Sequence, residues 1–289
     1  MKLLIAGKNS YIGCHIAEYV RQQEPNSEIC CFSVRDESWR QIDFSGFDAM
    51  VFAAAIVHRK DVTDETLYRR INAELPFEVA KKAKTQGVKR FLFLSTAGVF
   101  GIDKGLPVGN VIDENTPLRP VGFYGESKLE GERLLETLVD DDFLLSIVRP
   151  MNVYGKDCPG NYIPIFKKLT RLTPVLPKAF LNVKQGMVHV EHLAKLCYLA
   201  LRAEHGGIYH AQDSRAVSSF EIMQAMAKGM GQKKVSLPCH TPWKLLSKLG
   251  PVNKLFGGVA YSDAFAACPL GTYADTDPAV MLQKTVENV

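Results

Sequence analysis

Thr96, Tyr124 and Lys128 are the residues of this chain whose types and spacing could do chemistry. Thr96 follows the apolar run Phe91-Leu92-Phe93-Leu94-Ser95, which reads as a buried strand, and Tyr124-Gly125-Glu126-Ser127-Lys128 opens a helical segment. A hydroxyl, a phenol and an ammonium so placed suit the joint movement of a proton and a hydride at a carbinol or carbonyl carbon. A phenol with a pKa near 10 is a poor base at neutral pH, and an ammonium one helical turn away is expected to favour the phenolate and bring it toward the working range. Thr96 can hydrogen-bond the same substrate oxygen. A Tyr-x-x-x-Lys match alone arises by chance about once in a chain of this composition, so its surroundings must decide.

Those surroundings are the elements of a dinucleotide-binding unit. Lys2-Leu3-Leu4-Ile5-Ala6 fits a central parallel strand, and Gly7-Lys8-Asn9-Ser10-Tyr11-Ile12-Gly13 turns it into a helix with Ile12, Ile16, Tyr19 and Val20 on one face. The first glycine permits the turn, the helix N-terminus faces a pyrophosphate, and the last glycine lets helix and strand pack closely, with Ser10 in the middle glycine's place. A glycine-punctuated turn of some other α/β protein is the bland alternative. Phe47 to Ala55 reads as a strand running into the small residues Ala53, Ala54 and Ala55, and Asn72 to Gln86 reads as a helix closed by Gly87. Leu144 to Pro150 is a further buried strand, followed by Asn152-Val153-Tyr154-Gly155. Such alternation predicts an α/β fold with a Rossmann-type doubly wound parallel sheet and a smaller, mixed C-terminal substrate lobe.

The chain resembles the extended short-chain dehydrogenase/reductases, in the NAD-dependent epimerase/dehydratase group that works on nucleotide sugars. The matching motifs run in order along nearly the whole length: Gly7 to Gly13; Asp43 with Phe44 after the third-strand region; Ala53-Ala54-Ala55; Asn72; Ser95-Thr96 with Val99-Phe100-Gly101; Tyr124 and Lys128; Arg149 to Gly155; Val188-His189-Val190. It is similar, more narrowly, to bacterial polysaccharide-cluster sugar epimerases, some of which carry Asn-Ser-Tyr-Ile-Gly in the first turn and Gly160-Asn161-Tyr162 downstream. The resemblance implies a nicotinamide cofactor held by Gly7, Ser10, Tyr11, Ile12, Gly13, Ser33, Arg35, Asp43, Phe44, Ala53, Ala54, Ala55, Asn72 and Lys128. It implies a sugar held by Thr96, Tyr124, Asn152, Asn161, Lys184 and Gln185, and a homodimer. The activity implied is 4-epimerisation of UDP-glucose and UDP-galactose, or their N-acetyl forms, through a 4-keto intermediate. Dehydration would need an acid/base pair after Thr96, where Ala97-Gly98 stand.

Two departures keep alternatives open. Counting about 20 residues from Gly13 reaches Ser33, with Arg35 and Asp36 after it, where NAD selectivity ordinarily wants a carboxylate. Ser33 and Arg35 could hold a 2′-phosphate, so NAD is expected and NADP is possible. Gln185, beside Lys184, stands where the family usually has a diphosphate-gripping arginine. An NADPH-dependent 4-keto-sugar reductase and a non-catalytic cofactor-binding homologue are the competing readings. His192 replaces a common aspartate in a helix cap, a structural position.

With 289 residues, 46% hydrophobic and 23% charged, the chain can bury a sizeable core. The expected organisation is a Rossmann core over residues 1–155 with return elements near 187–212, and a substrate lobe from 156–186 and 213–289. A net charge of +4 does not indicate nucleic acid as a partner. Lys81-Lys82-Ala83-Lys84 is expected on a solvated helix face. The seven cysteines, without a Cys-x-x-Cys pair, read as reduced thiols serving mostly as small core residues. No histidine spacing marks a metal site, and the absence of a signal peptide or spanning run predicts a cytoplasmic protein.

Overall fold

The computed structural model describes residues 1–57, 64–178, 181–238 and 250–287. Its centre is a sheet of six parallel strands: β1 (Lys2–Ala6), β2 (Glu28–Phe32), β3 (Ala49–Phe52), β4 (Arg90–Leu94), β5 (Leu144–Pro150) and β6 (Gly207–Ala211). Their spatial order is β6-β5-β4-β3-β1-β2. Leu3, Leu4, Ile5, Met50, Val51 and Phe52 are all fully buried, as strands covered on both faces must be. One face is covered by α1 (Tyr11–Gln23) and α6 (Val190–Arg202), whose Ile16, Val20, Leu193 and Leu196 pack on Leu3, Ile5 and Val51. The other is covered by Val79, Ala80 and Ala83 of α3 (Leu75–Thr85), with Trp39 and Phe44. The strand order reverses between β1 and β3, which opens a crevice at the carboxyl ends of those two strands.

A second core, built on Tyr154, Phe166, Met187, Ile222, Met226 and Leu282, joins α5 (Tyr162–Leu172) and α7 (Ser219–Gly229) to the helix Pro278–Val286. Met187–His189 pairs with Asn152–Tyr154 in a separate two-stranded sheet. Among the described residues no helix is long and apolar enough to cross a membrane.

Several expectations are corrected. No strand forms between β2 and β3: Glu37–Gln41 is a 3₁₀ turn capped by Asp36, so Asp43 precedes the third strand instead of following it. Asn72 does not begin a helix. Asp64 caps α2 (Glu65–Arg69), the chain continues through a π-helical turn at Arg70–Glu74, and α3 follows. The wide turn accommodates Pro76, whose missing N–H would otherwise leave a gap in the ladder. Lys82 and Lys84 are not merely solvated. Lys82 donates to the carbonyls of Arg40 and Ile42, both at 2.6 Å, and Lys84 to that of Leu138 at 2.7 Å. Of the six described cysteines only Cys197 is fully buried: Cys30 and Cys31 are half-buried within the edge strand β2, Cys158 and Cys268 are half-buried between elements, and Cys14 is exposed on α1; Cys239 lies outside the described residues.

Candidate functional site

The crevice is lined first by the turn after β1. Gly7 has φ +120°, a conformation that L side chains rarely adopt, and a Cβ there would come within 3.0 Å of the Ala54 nitrogen. A Cβ on Gly13 would meet Ala53 Cβ, Ile5 Cγ2 and Ser10 Cβ, each at 3.2 Å. Ser10 caps α1 through its Oγ, which accepts from Gly13 N at 3.2 Å. The amides of Tyr11 and Ile12 stand ahead of that capped amide, and no acidic residue lies in the first turn. A helix N-terminus so built is suited to an anion. The Tyr11 hydroxyl donates to the Lys156 carbonyl at 2.9 Å, fastening this turn to the loop after Asn152–Tyr154.

Deeper in, Thr96 ends the segment after β4, and its Oγ1 accepts from Gly98 N at 3.1 Å. Tyr124 and Lys128 lie in the first turns of α4 (Phe123–Glu136). The structure brings the three together: the Tyr124 hydroxyl is hydrogen-bonded to Thr96, and Lys128 is fully buried one turn further along. Asn72 fixes the start of α4. Its side chain exchanges hydrogen bonds with Ile56 N and O, both at 3.0 Å, and donates to Ser127 Oγ at 3.1 Å, which in turn donates to the Tyr124 carbonyl at 3.1 Å. Gly131 lets α4 approach the π turn, for a Cβ there would fall 2.5 Å from the Asn72 carbonyl oxygen.

The electrostatics correct the expectation that Lys128 draws the phenol toward neutrality. Burial pushes Tyr124 up to about 12, against which only the Thr96 hydrogen bond pulls it down. Burial also presses Lys128 down to about 7, with the Glu132 carboxylate opposing. Desolvation therefore outweighs the Thr96 hydrogen bond at Tyr124 and the Glu132 charge at Lys128.

The Lys128 ammonium packs 3.8 Å from the Phe93 ring centre and has no hydrogen-bond partner among the described residues. A buried donor without an acceptor is costly, and ribose hydroxyls of a dinucleotide laid from Gly7 toward Thr96 would satisfy it. The residues present thus fit a dinucleotide cofactor.

Glu132, which spacing did not single out, accepts from Arg149 Nε at 3.0 Å and Nη2 at 2.6 Å and from Ser95 Oγ. The Arg149 guanidinium is therefore consumed inside the fold. The signal for Glu132 was a carboxylate four residues after Lys128, on the same helix face.

Other expected site residues are placed differently. Ser33 Oγ accepts from Arg35 N at 3.2 Å just beyond β2, while Arg35 is exposed. Asp43 is exposed and accepts from Ser45 N at 2.9 Å, and Phe44 is buried in the core under Lys82, so this pair serves the loop. Asn152 and Asn161 are exposed beyond β5, and the Asn161 side chain does not cap α5. Gln185 is not open to a diphosphate: it is fully buried, accepts from Lys104 Nζ at 2.8 Å and from the Tyr162 hydroxyl, and donates to Ser219 Oγ at 2.9 Å. Lys184 pairs with Glu221 at 2.6 Å. The helix cap expected at His192 is made by His189, while His192 Nδ1 lies 2.8 Å from the Asp213 carboxylate inside α6.

Over 217 residues, 73% of its length, the chain is 27% identical to the N-acetyl-alpha-D-glucosaminyl-diphospho-ditrans,octacis-undecaprenol 4-epimerase of Escherichia coli O157:H7. Over 212 residues, 71% of its length, it is 27% identical to the UDP-glucose 4-epimerase of Vibrio cholerae. These matches span 63% and 64% of the relatives' own lengths, just under two thirds. The fold is shared with the UDP-Glc/GlcNAc 4-epimerase from Campylobacter jejuni, with a TM-score of 0.69 at 20% identity over 99% of this chain and 97% of that one. The run from residue 3 to residue 211 matches the NAD dependent epimerase/dehydratase family, and with well over half its length so matched the chain belongs to that family.

Proposed function

We propose that this chain is a 4-epimerase of nucleotide sugars, interconverting UDP-glucose and UDP-galactose or their N-acetyl forms through a 4-keto intermediate, with NAD as its cofactor. The observation that carries this reading is the half-buried Tyr124, its hydroxyl hydrogen-bonded to Thr96 one helical turn from the fully buried amine of Lys128. The names of the two relatives support the position of attack. Bound along the crevice, NAD supplies a reversible store for one hydride.

As the phenolate, Tyr124 takes the proton of the sugar's C4 hydroxyl while the C4 hydrogen departs with its electron pair. Thr96 donates to the same oxygen, which becomes a carbonyl. The proton then returns from Tyr124 to that oxygen once hydride has been delivered to the opposite face of the rotated ring, so the net change is inversion at C4. Lys128 lies one turn from the phenol, and the Glu132 carboxylate opposes the loss of its proton to burial. The substrate lobe of residues 156–186 and 213–289 would receive the nucleotide, with Asn152 and Asn161 at its edge, and the working unit would be a cytoplasmic homodimer.

An NADPH-dependent 4-keto-sugar reductase is favoured by one observation, the serine and exposed arginine beyond β2. Incubation of the purified protein with UDP-glucose, or its N-acetyl form, separates the readings. The epimerase produces the galactose form without added cofactor and without net change at the nicotinamide absorbance band. Turnover that requires stoichiometric NADPH would overturn it.

A further inference from the structure

Residues 162–178 and 222–238 hold seven of the chain's 35 lysines and arginines and none of its 31 aspartates and glutamates. Outside these two stretches the chain is net negative, so the modest overall charge conceals a strong asymmetry. Folding brings the two stretches together. The strand Val235–Pro238 pairs in parallel with Val175–Lys178, Val235 opposite Val175 and Leu237 opposite Pro177. Lys234 donates to the carbonyl of Thr173 at 2.8 Å, at the end of α5.

The surface so made is apolar as well as basic. Ile165 is 48% exposed and Leu172 72% exposed, seven residues apart on the outward face of α5, with Lys168 between them and Arg171 alongside. Val235 and Leu237 face outward on the neighbouring strand, 64% and 53% exposed, with the exposed Lys233 just before it. The inner face of α5 is already used: Phe166 and Thr170 are fully buried in the second core.

We propose that this face, Ile165, Lys168, Arg171 and Leu172 of α5 with Lys233, Val235 and Leu237, docks on an anionic lipid bilayer surface. Charge complementarity selects a negative partner, and the aliphatic side chains among the cations select one that offers an apolar layer behind its charges. A bilayer with anionic headgroups has both. Single-stranded nucleic acid would call for exposed aromatic rings as stacking platforms, and each outward residue of this face is aliphatic or cationic. The face is independent of Thr96, Tyr124 and Lys128, so it stands or falls apart from the epimerase reading.

Cosedimentation of the full chain with vesicles tests it. The protein is expected to bind vesicles of phosphatidylcholine mixed with phosphatidylglycerol, to ignore pure phosphatidylcholine, and to dissociate as salt rises. The triple variant Lys168→Glu, Arg171→Glu, Lys233→Glu should lose at least about tenfold in affinity. Ile165→Ser with Leu172→Ser should weaken binding at constant charge, whereas the control Arg133→Glu, at an exposed position of α4, should change nothing. Circular dichroism of each variant verifies its fold, and the serine pair remains a test if the triple variant fails to fold. Failure of the wild type to bind anionic vesicles, full binding by either face variant, an equal loss in the Arg133→Glu control, or tighter binding to RNA or to an acidic polypeptide than to the vesicles would each overturn the proposal.

Discussion

Glu132 and Arg149 meet in a two-bonded ion pair, 3.0 Å and 2.6 Å, with both side chains buried between α4 and β5. The pair sits one helical turn from Lys128, and Ser95 donates to the same carboxylate. A buried pair gains little over an apolar substitute, but removing one partner leaves the other charge uncompensated. Glu132→Gln should therefore destabilise the protein by about 3–5 kcal/mol in denaturant titration. Glu78→Gln, which removes an exposed partner of Arg40, should cost at most about 1 kcal/mol. Equal costs would show that the buried pair is not what fixes α4 to β5.

Tyr124→Phe removes only the oxygen that exchanges the proton. The turnover rate should drop by about 10²–10⁴-fold while circular dichroism and nucleotide affinity hold. A variant keeping more than about a tenth of the wild-type rate would end the assignment of Tyr124 as acid and base.

Lys128 titrates at about 7 in the folded chain, well below its ordinary 10.5, because burial disfavours the charge. Between those two values the unfolded chain binds the proton and the folded chain does not, so stability rises with pH across that window. Below pH about 7 the full cost of burying the ammonium is present. In protein stripped of nucleotide, Lys128→Met should accordingly be more stable than wild type near pH 6, on the order of several kcal/mol, with the gap closing toward pH 10. A gap independent of pH would mean that Lys128 is not held in a dry site.

Arg35→Ala addresses the cofactor. With NAD as the partner, the exposed Arg35 makes no essential contact, and the substitution should alter NAD and NADP affinities by the same small factor in isothermal titration. A selective loss for NADP, through lost charge-assisted bonds to a 2′-phosphate, would transfer the preference and promote the reductase.

The parts of this fold that rest on contiguous sequence were legible. Leu144 to Pro150 was expected as a strand and forms over those same residues, and the turn from Gly7 to Gly13 enters α1 as its glycines require. The sheet was legible for the same reason, since continuous apolar runs have nowhere else to go. What failed depended on partners far along the chain. Gln185 looked available because Lys104, Tyr162 and Ser219, which consume its amide, are between 23 and 81 residues away. Lys82 looked solvated because the carbonyls it holds belong to a turn about 40 residues earlier. The start of the helix around Asn72 was misplaced because a π turn breaks the 3.6-residue period on which the reading relied. Within the candidate site, Thr96, Tyr124 and Lys128 were placed together by type and spacing, whereas their pKa values were not legible, since desolvation has no signature in a motif.

The π turn at Arg70–Glu74 has a meaning for how this chain could change by descent. Its hydrogen bonds span one residue more than those of an α-helix, the geometry that a single residue inserted into a helix would produce. Deleting one residue there would restore an ordinary helix, yet it would also rotate everything on the N-terminal side by roughly 100°. Asn72 would then no longer face Ile56 and Ser127 together, and the start of α4 would lose its anchor. A deletion at this point would thus cost the site its anchor even though the helix itself would be improved by it.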